Sequence, residues 1–368
     1  MQVAKILPIR PRPRRRRWSR LHPLAAVGLT LLVSSITGCT AGRQRYDDAR
    51  RWTFGLDTAY ERQAEPGACP NPKWRSTATP DGAFTFTHPG VERFVARFQS
   101  TGRSSLRSAL SLSGRYVARM SMILRKLGVP PELAYLPLIE SGFRMHAVSR
   151  AGAVGPWQLI ATTGRHYGLR IDRYVDERRD PVKSTRAAGR YFKDLYTMFG
   201  NWHLSLAAYN SGERNIARIR QTRNVEDFWE MRRRGYLYTE TADFVPHFLA
   251  ALRIAQAPET YGFAAPTDQP LRYDLVRLTS PLALKTVARL SGTSTRTIEE
   301  LNPALHRGVV PPQGYIVRLP KGTKAAFELA YASVGSVGYG HHRDRGRPAT
   351  PKAVVEARLP AQLANRGS

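Results

Sequence analysis

The stretch Leu136–Ile160, LPLIESGFRMHAVSRAGAVGPWQLI, places one carboxylate, Glu140, directly after the apolar run Leu136, Pro137, Leu138 and Ile139. A carboxyl group with such neighbours loses hydration, which raises its pKa and lets it hold a proton near neutral pH as a general acid. A capping or salt-bridging glutamate at the end of a buried helix fits the position equally well. Downstream, Gly152 and Gly155 allow the backbone to approach a ligand closely, and Gln158 offers an amide donor and acceptor. Trp157 reads as a core residue.

Outward from this stretch the pattern is helical. Phe94, Phe98, Leu106, Leu110, Tyr116, Met120 and Leu124 recur at spacings of three and four or their multiples, which predicts helix from Glu92 to Leu127, closed by Gly128. Pro130-Pro131-Glu132 opens a further helix that leads to Glu140. Helical periodicity returns at Pro181–Phe199, Leu204–Ile219 and Phe244–Ala257, so the expected fold class is mainly α. Pro258–Pro270 reads as a linker, and then Tyr273–Leu278 and Tyr315–Pro320 alternate like strands around two short helical patterns between Leu282 and Asn302. This is a small α+β unit of order β-α-α-β. Residues 333–368 are rich in Gly, Arg, His, Pro and Ala and are expected to be a disordered basic tail.

The ends of the chain bear on location. Lys5, Arg10, Arg12, Arg14 to Arg17 and Arg20, with no acid among them, precede the mostly apolar run Leu24–Ile36, the pattern of an export signal. The run ends Ile36-Thr37-Gly38-Cys39, which resembles a lipobox. That resemblance implies a signal peptide over 1–38, lipid modification of Cys39 as a membrane anchor, and the periplasmic side of the outer membrane, since Thr40 rather than aspartate follows the cysteine. Several acyl chains would bind more firmly than the marginal hold of one. Residues 39–90 read as a polar tether, and Cys69 alone cannot form an intramolecular disulfide. Loss of the signal removes eight of the positive charges that make the formal net charge +29, leaving +21. Such a balance favours polyanionic partners, and an exported protein meets peptidoglycan and anionic lipid rather than nucleic acid.

Cleavage of a glycosidic bond needs a proton donor for the leaving oxygen and a means of stabilising the oxocarbenium-like centre, usually two carboxylates. Asp172, Asp176, Glu177, Asp180 and Asp194 lie among arginines or at helix starts, where solvated and capping roles are commoner, so Glu140 stands out alone. A lone acid suffices where the substrate supplies its own nucleophile. The sequence contains no HExxH, no Cys/His metal spacing and no nucleotide-binding glycine loop, so neither metal nor cofactor is expected.

The segments Ile139-Glu140-Ser141-Gly142-Phe143, Ala151–Gln158 and Leu206-Ala207-Ala208-Tyr209-Asn210-Ser211-Gly212 resemble, in order and separation, the signature motifs of family 1 soluble-type lytic transglycosylases. Thr162–Leu169 and Phe199-Gly200-Asn201-Trp202 narrow the resemblance to the membrane-bound D-type branch. It implies a goose-lysozyme-like α domain over 91–262 that cleaves between N-acetylmuramic acid and N-acetylglucosamine in peptidoglycan. Glu140 would protonate the glycosidic oxygen and then take a proton from the muramoyl C6 hydroxyl, which closes a 1,6-anhydro ring. The resemblance also implies substrate contacts at Ser141, Ser149, Gln158, Leu159, Tyr209 and Asn210. One departure stands in Glu240-Thr241-Ala242-Asp243-Phe244-Val245-Pro246, where the family has tyrosine at the position of Phe244. The lost hydrogen bond would cost about 1.5–3 kcal/mol unless a water or Tyr238 replaced it.

In the C-terminal unit, Leu284–Ser294 and Thr297–Asn302 could pass for a helix-turn-helix, but flanking strands and the export signal argue against DNA. Strand, two helices, Leu301-Asn302-Pro303 and a strand ending Leu319-Pro320 resemble a LysM glycan-binding repeat over 270–321. The copy is degenerate, with Thr279-Ser280-Pro281-Leu282 where Gly-Asp-Thr/Ser-Leu is usual. Glycan affinity and a packing role both remain open, as do a hydrolytic muramidase and a non-catalytic wall-binding lipoprotein beside the lyase.

Overall fold

The computed structural model describes Phe84 and residues 87–337. The export signal, Cys39, nearly all of the 39–90 tether and the tail beyond 337 lie outside the described residues.

The first part is all helical. Three helices, α1 (Pro89–Gln99), α2 (Arg103–Ser113) and α3 (Val117–Lys126), occupy the region expected to be helical from Glu92 to Leu127. A Cβ at Gly114 would overlap the carbonyl oxygen of Asp268, so glycine at the end of α2 lets the segment after the domain pack closely there. That segment is no free linker: Ser111 Oγ donates to Asp268 Oδ1 at 2.8 Å and Arg103 Nη2 donates to Gly262 O at 2.5 Å.

The helix expected between Pro130 and Glu140 is instead a 3-10 turn (Pro131–Tyr135) followed by the single turn α4 (Pro137–Glu140). Pro137 has no N–H to continue the first turn, but it suits the start of the second. Then come α5 (Ala161–His166) and α6 (Pro181–Phe199). Asp180 caps α6 by accepting from the amides of Val182 and Lys183, and Gly200 at φ +64° ends it. Asn201 caps α7 (Trp202–Ser211) through the Leu204 amide at 3.1 Å. The expected Leu204–Ile219 helix stops at Gly212, where φ is +85°, and restarts as α8 (Glu213–Arg223). After α9 (Phe228–Arg233), α10 (Thr239–Gln256) packs against α1 and α7.

Helix α10 carries Pro246 in its interior. A proline there leaves the carbonyl four residues earlier without its helical donor. Arg232 Nε fills the gap, donating to Ala242 O at 2.9 Å.

The second part pairs β1 (Tyr273–Leu278) antiparallel with β2 (Tyr315–Pro320), Tyr273 opposite Pro320 and Leu278 opposite Tyr315. Helices α11 (Leu284–Leu290) and α12 (Thr295–Leu301) lie between them in sequence, in the expected β-α-α-β order. A further helix, α13 (Lys324–Val337), was not expected and runs into the stretch read as a tail. Its Phe327 is fully buried with Val276, Leu284, Val287 and Val317, which fixes the helix to the module. Val175, from the helical part, is buried in this same cluster.

Truncation of a fully buried phenylalanine costs about 3–5 kcal/mol. Phe327→Ala is therefore expected to lower the thermal midpoint of the C-terminal module, followed by circular dichroism; an unchanged midpoint would detach α13 from the core.

Candidate active site

Glu140 closes α4 and lies in a cavity of about 300 Å³ lined by Phe94, Arg97, Ile139, Asn210, Glu240, Asp243, Phe244 and His247. Helices α1, α4, α7 and α10 thus meet at one carboxyl. None of the described residues hydrogen-bonds or ion-pairs with that carboxyl. Burial first, and the negative charge of Glu240 second, push its pKa up to about 8. The adjacent Asp243 is neutralised instead, by Arg93 at 2.5 Å and Arg232 at 3.5 Å. His247 stacks on Phe98 with ring centroids 5.0 Å apart, and burial, then the charge of Arg97, lower its pKa to about 4. It is therefore uncharged near neutral pH.

The segment 147–159 folds back on itself beside α4. Val154 N donates to Leu159 O at 3.0 Å and Gly155 N to Ala147 O at 3.0 Å. Side chains pin its carbonyls one after another. Ser141 Oγ donates to Pro156 O at 3.0 Å, Tyr209 Oη to Trp157 O at 2.5 Å, and Arg178 Nη1 to Gly152 O and Leu159 O at 3.0 and 3.1 Å. Trp157 is fully buried, as its core reading required, with Nε1 donating to Thr185 Oγ1 at 2.9 Å. Gly155 has φ +84°, and any Cβ there would overlap the Arg178 carbonyl oxygen.

The residues singled out in the sequence divide accordingly. Glu140 and Asn210 line the cavity, the latter with Oδ1 accepting from Thr241 Oγ1 at 2.9 Å. Tyr209 stacks on Phe192 at 4.6 Å, and burial, with the charge of Glu140 next, pushes its hydroxyl far above the usual phenol range. The hydroxyl thus stays a donor to Trp157. Ser141 is buried and fastens the glutamate turn to the 147–159 segment, bonding neither its own helix nor the cavity. Ser149 Oγ accepts from Ala153 N at 3.1 Å, and Leu159 is buried. Gln158 adopts φ +46° and donates Nε2 to Gly155 O at 2.8 Å, which leaves its amide oxygen as the group free of the turn. Phe244 does line the cavity, whereas Tyr238 is 73% exposed and does not replace the missing hydroxyl there.

Sequence reasoning passed over Phe94, Arg97, Asp243 and His247 and treated Glu240 only as part of a motif. The spacing held a signal: positions 240, 243, 244 and 247 fall on one face of a helix.

Against this geometry, residues 122–231 match the transglycosylase SLT domain family. Residues 272–336 match the family described as lytic transglycosylase MltD, LysM-like domain. The chain is 38% identical over 205 residues to membrane-bound lytic murein transglycosylase D of Escherichia coli K12, covering 54% of this chain and 44% of the relative. It is also 38% identical over 96 residues, 26% of this chain and 46% of the other, to a putative tributyltin chloride resistance protein of Alteromonas sp. strain M-1. The chain thus spans less than half the length of these curated relatives.

Removing the Tyr209 hydroxyl strands the buried Trp157 carbonyl, a loss of about 1–3 kcal/mol. Tyr209→Phe should therefore lower the denaturation midpoint while keeping the aromatic stack; an unaltered midpoint would show that the hydroxyl does not hold the segment.

Proposed function

We propose that the chain is a lytic transglycosylase that cleaves the β-1,4 bond between N-acetylmuramic acid and N-acetylglucosamine in peptidoglycan and leaves 1,6-anhydromuramoyl ends. The observation that carries this reading is a carboxyl raised to about 8 that faces a cavity and pairs with no cation among the described residues, Arg97 on the cavity wall included. Such a group is protonated at neutral pH and can give its proton to the glycosidic oxygen as the C1–O bond breaks. The carboxylate so formed then takes the C6 hydroxyl proton while that oxygen bonds C1. No water is consumed, and the glutamate regains its starting state. The roles of Ser141, Ser149, Gln158, Leu159, Tyr209 and Asn210 are shared in this scheme: Asn210 and the Gln158 oxygen meet the sugar, and the others hold the wall that presents it.

Among the described residues no helix is long and apolar enough to cross a membrane. Attachment to the periplasmic face of the outer membrane is assigned to a lipid on Cys39. The similarity to a membrane-bound relative supports attachment in general. Peptidoglycan strands are then the partner, in keeping with the net positive charge.

Glu240 favours one second reading. A further carboxylate on the cavity wall could activate water, as in an inverting hydrolase, and make the protein a muramidase. Mass analysis of products from purified sacculi separates the two. Anhydro ends, lighter by one water than reducing ends and absent with Glu140→Gln, are expected; reducing ends would establish hydrolysis, and no release by either protein would leave a wall-binding lipoprotein.

The pH dependence has a definite sign. Turnover requires protonated Glu140 and is expected to fall as pH rises through about 8. Glu240→Gln removes the neighbouring charge and should move that alkaline limb to lower pH; a limb that stays in place would show that the Glu240 charge does not reach the acid.

Stability follows the same group. The unfolded carboxyl ionises near the ordinary glutamate value of 4.5, the folded one near 8, so between these the unfolded chain binds fewer protons and stability falls as pH rises. Glu140→Gln should therefore match the wild-type thermal midpoint at about pH 4 and exceed it increasingly up to about pH 8. A pH-independent difference would contradict the raised pKa.

A further inference from the structure

The C-terminal module is joined to the helical domain by buried polar contacts, and these converge on one short segment. Arg318, on β2, donates Nη1 to Asp180 Oδ2 at 2.6 Å and Nη2 to Asp180 Oδ1 at 3.2 Å, with side chains 7% and 3% exposed. Asn302 holds Arg318 in place: its Oδ1 accepts from Arg318 N at 2.8 Å, and its Nδ2 donates to Arg318 O at 2.8 Å. Tyr315 Oη donates to Glu177 Oε1 at 3.0 Å, and Asp176 N donates to Ala304 O at 2.9 Å. Val175 is buried in the module's own apolar cluster. The module thus grips this segment at Val175, Asp176, Glu177 and Asp180.

On its opposite side this segment holds residues 147–159, the stretch that the proposed reaction brings to the glycan through Gln158. Arg178 is oriented by Asp176, with Nε to Oδ1 at 2.9 Å and Nη2 to Oδ2 at 2.8 Å. Its remaining nitrogen holds the carbonyls of Gly152 and Leu159, and its own carbonyl is the surface on which Gly155 packs. The bonds of Arg318 to Asp180 and of Arg178 to Gly152 and Leu159, joined by the short stretch of chain from 178 to 180, therefore connect β2 to the segment that carries Gln158. None of them passes through Glu140.

We propose that the LysM-like module braces the glycan-facing wall of the cleft, with Arg318 as a positioning residue that acts through Asp180 and Arg178. The proposal rests on the transglycosylase reading for its kinetic consequence alone. A buried ion pair that loses one partner strands a charge, so the link is sensitive to single substitutions. A wall displaced by a fraction of an ångström weakens substrate positioning, while the acid on the facing turn keeps its surroundings.

The test uses the full chain. Arg318→Met should speed amide hydrogen exchange at Val154 and Gly155 about tenfold or more, with α1 and α10 unaffected. KM for soluble uncrosslinked glycan strands should rise by about the same factor, with the alkaline limb of the kcat profile unmoved. The double variant Asp180→Asn/Arg318→Met removes the stranded charge without restoring the link. It should recover thermal stability, yet keep the fast exchange and the high KM. Should Arg318→Met not fold, Tyr315→Phe tests the neighbouring link with a smaller effect in the same direction. Unchanged exchange at Val154 and Gly155 in a folded variant, or exchange and KM that recover together with stability, would overturn the brace. Absence of anhydro products from the wild type would instead overturn the proposed reaction, and the exchange measurement would still decide the brace.

Discussion

A carboxyl group partly withdrawn from water, with no cation among the described residues to answer its charge, keeps its proton, and the arrangement around Glu140 depends on that constraint. The chain is rich in arginine, so the absence of a described one on this carboxyl is a feature of how the arginines are committed. Arg93 and Arg232 are turned to Asp243, and Arg178 and Arg318 are engaged with Asp176 and Asp180. Arg97 reaches the cavity wall, where its charge acts on His247. Had any of these guanidinium groups closed on Glu140, the carboxyl would be ionised and useless as an acid at neutral pH.

The backbone around the acid serves the same end. Pro137 starts a one-turn helix that holds Glu140 at the edge of the core, and Ser141, the next residue, is tied to Pro156. The segment 147–159 has little regular structure. It keeps its shape because serine, tyrosine and arginine side chains satisfy its carbonyls, a task that a helix or sheet would otherwise perform. Arginine suits this role, since its planar fork can serve a carboxylate and two carbonyls at once. The glutamate turn and the 147–159 segment are therefore joined through Ser141, and the network that holds the segment extends through Arg178 toward the C-terminal module.

Much of this was legible from residue patterns, for identifiable reasons. Glu140 announced itself by its apolar neighbours, and the caps at Asp180 and Asn201 with the stop at Gly200 have local chemistry that sequence displays directly. The short helix at Glu140 and the close packing of residue 268 on Gly114 were not legible. One depends on a proline that can both interrupt and initiate, the other on a carbonyl from residue 268 arriving through space. Ser141 shows the same limit: a hydroxyl beside an acid reads as a ligand contact or a helix bond, and its partner fifteen residues away decides otherwise. The face formed by Glu240, Asp243, Phe244 and His247 was present as spacing, but only packing against α1 turned it into a cavity wall. Helix α13 was masked by the composition of the tail that follows it.

The central claim concerns one proton, and it is measured most directly by titrating the Glu140 side-chain carbon by NMR in selectively labelled protein, with Glu140→Gln to assign the signal. A midpoint near 8, well above an ordinary glutamate, is the predicted result. A midpoint near the ordinary glutamate value of 4.5 would mean that the carboxyl is ionised at rest and would contradict the account.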